Sequence, residues 1–295
     1  MTFENPTLVL LHGLGATGHV WDSFIETTNW SGRVIAPDLR GHGAAAWADS
    51  YSFGAMASDV SDLLEVDEPY VVLGHSMGGG VGAALSTGFF GTAPLALGTI
   101  GVKLVWTEDE LNKLPEIAAK PPRFFDDRAE AADWFLKLSG LLGVVEADSP
   151  LVESGIVQDE AGWRVCQDPK SILVVEGSPP FSQMFDGLLS PVYMALGEHD
   201  PLVSADDHAE MPTGIPHVFG GFGHNVMVED PEVVWSWFSN VASLSLISLS
   251  AHRYRRQCKR AEHQKGVHGF EPEGPLRVEQ DPAAPDDPKS DGPNY

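Results

Sequence analysis

The chain has 295 residues, with 18 Lys+Arg against 42 Asp+Glu and a formal charge of −24. So large an acidic excess excludes a general nucleic-acid or anionic-membrane binder, because neutralising phosphates needs cationic side chains. Apolar residues make up 43% and charged residues 20%, enough to bury a core. The two cysteines, Cys166 and Cys258, cannot build a disulfide framework and fit a reducing, cytoplasmic setting.

Residues 1–6 lack a basic leader segment. The apolar run Thr7–Leu11 then reads as a strand ending at His12-Gly13, and Arg33–Ala36 as a second ending at Pro37-Asp38. Phe53, Met56, Val60 and Leu63/Leu64 recur at helical spacing over 52–64. Tyr70–Leu73 is a third strand, followed by a helix over 78–90, and a fourth lies within 95–104. Val192–Leu196 and the stretch around Val218-Phe219 supply two more, before a helix from Pro231 to about Ser245. Continuous rather than alternating apolar runs signal strands buried on both faces. Strand–helix alternation predicts an α/β fold: a doubly wound, mostly parallel sheet of about six strands. The prolines of 103–187 break this rhythm, so the expected division is a core over 1–102 and 188–245 with an inserted helical cap over 103–187. The apolar stretch 233–250 is interrupted by Ser and Asn and is no membrane span. The remainder, 246–295, has a basic block at 252–265 and a proline-rich acidic end, and reads as a low-order tail.

Gly74-His75-Ser76-Met77-Gly78 is G-x-S-x-G between a buried strand and a helix. A sharp strand-to-helix turn strains the middle residue and needs small flanking residues, and it presents the Ser76 hydroxyl at a helix N-terminus. Ser76 is therefore the candidate nucleophile, and His75 is expected to point away along the turn.

With this motif, the chain resembles the α/β-hydrolase superfamily. The resemblance is carried by Leu10–Gly15, Ala36–Gly43, Gly74–Gly79, Leu196–Asp200 and Gly223-His224, and covers residues 7–240. It implies a Ser-acid-His triad with Asp200 as acid and His224 as base, and an oxyanion hole. Both positions are also reasonable in themselves: Asp200 follows the carboxyl end of a strand, and His224 lies in a glycine-rich loop. Glu198, Glu108 and Asp109 are rival acids. The oxyanion hole should use the backbone N–H groups of Leu14 and Met77, with His12 shaping its loop rather than reacting. The superfamily's two usual N-terminal strands do not fit before Thr7.

Gly13–Gly18 also spells G-x-G-x-x-G, which admits a dinucleotide reading with Asp38 as its acid. No metal-ligand spacing stands out, and no cofactor is expected. An aromatic-rich cap closes an apolar pocket, and Trp106, Trp134 and Met184 are the candidates to line it. The expected activity is hydrolysis of an ester-type carbonyl in a small, mostly apolar substrate through an acyl-enzyme. Carbon–carbon bond or lactone hydrolysis and perhydrolysis use the same triad, and a non-catalytic ligand-binding protein is the rival of another class. The expected partner is a small molecule, with neither nucleic acid nor membrane, and oligomeric state is open.

Overall fold

The structure is a computed structural model describing residues 6–176, 181–208, 211 and 213–243. The chain divides into Met1–Ser250 and Ala251–Tyr295. The second unit, and the expected tail over 246–295, lie outside the described residues.

The strands β1 (Thr7–Leu11), β2 (Val34–Ile35), β3 (Tyr70–His75), β4 (Leu97–Ile100), β7 (Val192–Gly197) and β8 (His217–Phe219) form one sheet in the order β2-β1-β3-β4-β7-β8. Every pairing in it is parallel. Every residue of β1 and β3 is buried, as continuous apolar runs require, whereas the edge strands β2 and β8 are partly exposed. Alternate β1 residues enter separate clusters. Leu8 and Leu10 pack with Trp21, Phe24, Val234 and Phe238, and Val9 and Leu11 with Phe53, Met56, Val60 and Val81. The first layer holds α1 (Asp22–Thr28) and α9 (residues 231–243); the second holds α2 (Phe53–Ser61) and α3 (Met77–Ser86). Ser52 caps α2 by accepting from the Ala55 amide at 3.1 Å.

The insertion between β4 and β7 contains α4 (Glu108–Ala118), α5 (Arg128–Leu138), α6 (Pro150–Gly155) and α7 (Phe181–Met184). Thr107 and Glu110 form a capping box at the start of α4. The expected helical insertion also holds a β-hairpin that the sequence reading did not include. Ile156–Asp159 (β5) and Gly162–Val165 (β6) form an antiparallel hairpin, turned at Gly162 with φ +124°. Gly162 tolerates that angle because it has no Cβ. One more short helix, α8 (Val226–Glu229), follows β8.

The insertion does not stand on a core of its own. Phe135, Leu136, Leu141 and Val152 belong to the same buried cluster as Leu8, Leu10 and Trp21 of the sheet layer. Phe135 is 1% exposed, and a Cβ built on Gly155 would fall 2.0 Å from its ring. A shared core predicts shared unfolding. Phe135→Ala should cost about 3–5 kcal/mol and move a single urea transition without splitting it. Two separated transitions, or no shift, would contradict a continuous core.

Candidate active site

β3 runs straight into α3, and the junction is Ser76, with φ 49° and ψ −115°. Such a conformation costs a non-glycine residue on the order of 1–3 kcal/mol and persists only when its surroundings impose it. The surroundings are backbone. A Cβ on Gly78 would lie 2.3 Å from the Leu11 carbonyl oxygen and 2.8 Å from that of His12. A Cβ on Gly74 would lie 2.5 Å from the Gly78 carbonyl oxygen. Both glycines of the motif are thus needed for close approach. The Ser76 amide makes the last bond to β4, donating to the Ile100 carbonyl at 2.8 Å. The Ser76 side chain makes no cap hydrogen bond. Met77 is the first residue of α3, so its N–H has no acceptor within the helix.

Asp200 follows β7 and His224 follows β8, and the structure brings them together. His224 Nδ1 lies 2.7 Å from Asp200 Oδ2, with the Asp200 side chain fully buried and the His224 side chain 11% exposed. The other Asp200 oxygen accepts from the Leu202 amide at 2.8 Å. The bond to a carboxylate fixes the proton on Nδ1 and leaves Nε2 as the basic nitrogen. Gly101 makes room for the pair: it has φ +64°, and a Cβ there would sit 3.0 Å from His224 Nδ1 and 3.1 Å from Asp200 Oδ2. The rival acids lie elsewhere. Glu198 accepts from the Gly221 amide at 2.8 Å, and Glu108 and Asp109 occupy the first turn of α4.

Two contacts on the His224 loop had no signal in the sequence. Both carboxylate oxygens of Glu229 accept from the Gly223 amide, at 2.9 and 3.2 Å. His75 Nε2 lies 3.0 Å from the His224 carbonyl oxygen, so Nε2 carries the proton and donates it. The two rings sit 4.6 Å apart. His75 therefore packs against His224 and lines the cavity rather than pointing away along the turn. A buried ring at this position finds its acceptor only across the sheet.

The loop after β1 is held by His12, which is fully buried. Its Nδ1 donates to the Gly13 carbonyl at 2.8 Å, and its Nε2 accepts from the Leu39 amide at 2.9 Å. His42 stands edge-on to it at 5.1 Å. Both oxygens of Asp38 accept from backbone amides, those of Gly18 and Ala44, each at 2.8 Å. A Cβ on Gly18 would fall 2.2 Å from the Ala36 carbonyl oxygen, so this glycine serves loop packing. Asp38 thus clamps two loops in place of the ribose contact that a dinucleotide reading needs.

A cavity of about 510 Å³ opens beside Ser76 and His224. Leu14, Met77 and Trp106 line it, with Phe53, Leu138 and Val174 among the other apolar walls. Trp134 and Met184 are not on this wall. Trp134 packs against Phe125 with the Arg123 guanidinium 5.1 Å above its ring, and Met184 packs on the layer of α2 and α3. Their hydrophobic character suits either place, and spacing along the chain does not distinguish them. Of the cations at the cavity, Lys103 is bonded to Glu110 and lies over the Trp106 ring, and Lys137 is exposed. Among the described residues, no three His, Cys, Asp or Glu side chains gather as metal ligands.

Residues 8–237 match the sequence profile of the alpha/beta hydrolase family. The chain belongs to that family. Among curated relatives, bovine (Bos taurus) protein phosphatase methylesterase 1 is 31% identical over 185 residues, covering 59% of this chain and 47% of the relative. The chain thus spans about half the length of the curated relatives it matches. Two solved structures show the same fold. A thioesterase domain from the curacin biosynthetic pathway aligns with TM-score 0.64 and 21% identity, over 83% of this chain and 92% of that one. A novel esterase from Mycobacterium tuberculosis aligns with TM-score 0.64 and 22% identity, over 81% and 84%.

In this α/β hydrolase the buried imidazoles carry a pH liability. Burial, reinforced by His12, lowers the His42 pKa to about 3, and burial likewise depresses His12 and His75. As pH falls below the ordinary imidazole value of about 6.5, the unfolded chain takes up protons that the folded chain refuses. The stability these groups contribute is complete above about 6.5 and is lost as pH falls below it; for His42 the loss continues toward pH 3, at up to ~1.4 kcal/mol per pH unit. The urea midpoint should therefore drop between pH 7 and pH 5, and His42→Gln should reduce the slope. A midpoint that stays level across this interval would contradict neutral burial.

Proposed function

We propose that this α/β hydrolase is a serine esterase. It acts through Ser76, His224 and Asp200 on the ester carbonyl of a small, mostly apolar substrate. The observation that carries the reading is the 2.7 Å bond from His224 Nδ1 to the buried Asp200 carboxylate, made at the edge of the cavity that holds Ser76. Ser76 Oγ attacks the carbonyl carbon while His224 Nε2 takes its proton. The carbonyl electrons collect on oxygen, where the amides of Leu14 and Met77 receive them; one such donor is worth about 3–4 kcal/mol. The intermediate collapses, the alcohol leaves with the proton from Nε2, and an acyl-Ser76 ester remains. Water then attacks that ester, again giving its proton to Nε2, and the acid departs as Ser76 recovers its proton. Asp200 orients the ring and stabilises the imidazolium throughout.

The apolar walls support a neutral acyl group. The cations of the sheet region are already engaged: Arg40 bonds Asp59 through two nitrogens at 2.6 Å, and Arg33 bonds Glu68. The methylesterase relatives favour a simple ester over the lactone, carbon–carbon and perhydrolysis chemistries that share the triad. The free Cys166 fits a cytoplasmic setting. Among the described residues no helix is long and apolar enough to cross a membrane.

The test is turnover of p-nitrophenyl acetate and butyrate. The unaltered chain should hydrolyse both, and Ser76→Ala should lose at least ~10³-fold in kcat. Full activity in Ser76→Ala would overturn the reading.

A further inference from the structure

We propose that Asn225 is a positioning residue that ties the general base to the inserted cap, so that His224 is held in working position only when the end of α5 is seated. This rests on the Ser76–His224–Asp200 reading. Asn225 follows His224 directly and is 1% exposed. Its amide nitrogen donates to the carbonyls of Gly140 at 3.0 Å and Ser139 at 3.3 Å, just beyond the C-terminus of α5. Both neighbours are carbonyl oxygens, so the donor end of the amide must face them. Ser139 and Gly140 line the cavity. The contact is tight: Gly140 has φ +71°, and a Cβ there would sit 3.1 Å from Asn225 Nδ2 and 4.0 Å from His224 Cδ2.

The same turn meets the loop after β1 on its other side. A Cβ on Gly15 would fall 2.7 Å from the Leu138 carbonyl oxygen. Residues 138–140 are therefore wedged between the loop carrying Leu14 and the loop carrying His224. Several contacts hold the His224 loop to neighbouring parts of the sheet region, among them Glu229 on the Gly223 amide, His75 on the His224 carbonyl, Glu198 on the Gly221 amide and the His199 amide on the Phe222 carbonyl. The Asn225 tether runs instead to the insertion. Among the described residues, none pairs with the buried Asn225 Oδ1. The donor end of the Asn225 amide is the end aimed at the cap.

Asn225→Ala and Asn225→Asp in the full chain test this with p-nitrophenyl acetate. The acetyl group is short, so loss of substrate grip contributes little. Asn225→Ala should lower kcat on the order of 10–100-fold with KM changed less than about threefold, as a misplaced base does. Asn225→Asp carries a pH signature. While protonated, its carboxylic acid can donate to the same carbonyls, and once ionised it repels them. Burial against two carbonyls raises the pH at which that happens. The ratio of mutant to wild-type kcat should therefore fall as pH rises from about 6 to 9. With kcat expressed per folded protein at each pH, a structural role alone would leave that ratio flat. A folded Asn225→Ala with kcat within about twofold of wild type would overturn the proposal, as would a flat Asn225→Asp ratio. If Asn225→Ala does not fold, the Asn225→Asp profile decides. Full activity in Ser76→Ala would instead overturn the esterase reading beneath it.

Discussion

The rest of the site depends on the approach of α3 to the end of β1. Gly78 lies so close to the carbonyls of Leu11 and His12 that no side chain fits between. That approach forces the chain to reverse at one residue, and Ser76 absorbs the turn with φ 49°. The same reversal puts Met77 at the first position of a helix, with a free N–H, and sets it opposite the loop of Gly13 and Leu14. The strained Ser76 and the unpaired Met77 amide, the nucleophile and the anion-stabilising group of the proposed mechanism, are thus consequences of one packing contact. The strain at Ser76 is balanced by the surrounding sheet, since β1 is paired with β3 along the whole of β1, from Thr7↔Tyr70 to Leu11↔Gly74.

Around this contact the protein uses neutral imidazoles as structural connectors. His12 links the Gly13 carbonyl to the Leu39 amide, and His75 donates to the carbonyl of His224. An imidazole can donate from one nitrogen and accept at the other, which suits it to joining loops whose free groups are of opposite kind. Burial keeps these rings uncharged. Arg33 and Arg40 are bonded to carboxylates elsewhere on the sheet region, and Lys103 at the cavity is bonded to Glu110. The −24 charge of the chain is carried by residues 1–245, since the 8 basic and 8 acidic residues of 246–295 cancel, and it describes the surface more than the cavity, whose walls are mainly apolar.

Much of the architecture was legible because its physical causes are local. Unbroken runs such as Leu8–Leu11 and Val71–Leu73 can only be strands covered on both faces, and they are. The glycines flanking Ser76 announce a turn because little else permits one there. The hairpin Ile156–Val165 was not legible: its strands have four residues each, sit among prolines, and gain their order from Phe125, which pairs with Trp163. The cap's aromatics could not be sorted into wall and core from spacing, and Trp134 went to the core side. Glu229, Gly101, His75 and Asn225 act through contacts with residues remote in the chain or with backbone atoms. No local pattern encodes those partners, and only the fold brings them into range.

The most direct measurement of the central claim is covalent labelling with a fluorophosphonate, followed by digestion and peptide mapping. The reagent needs a serine hydroxyl activated by a base and an amide pocket for the phosphoryl oxygen. A single adduct is expected on the peptide bearing Ser76, lost in His224→Ala while that variant remains folded. An adduct on another residue, or undiminished labelling of Ser76 without His224, would contradict it.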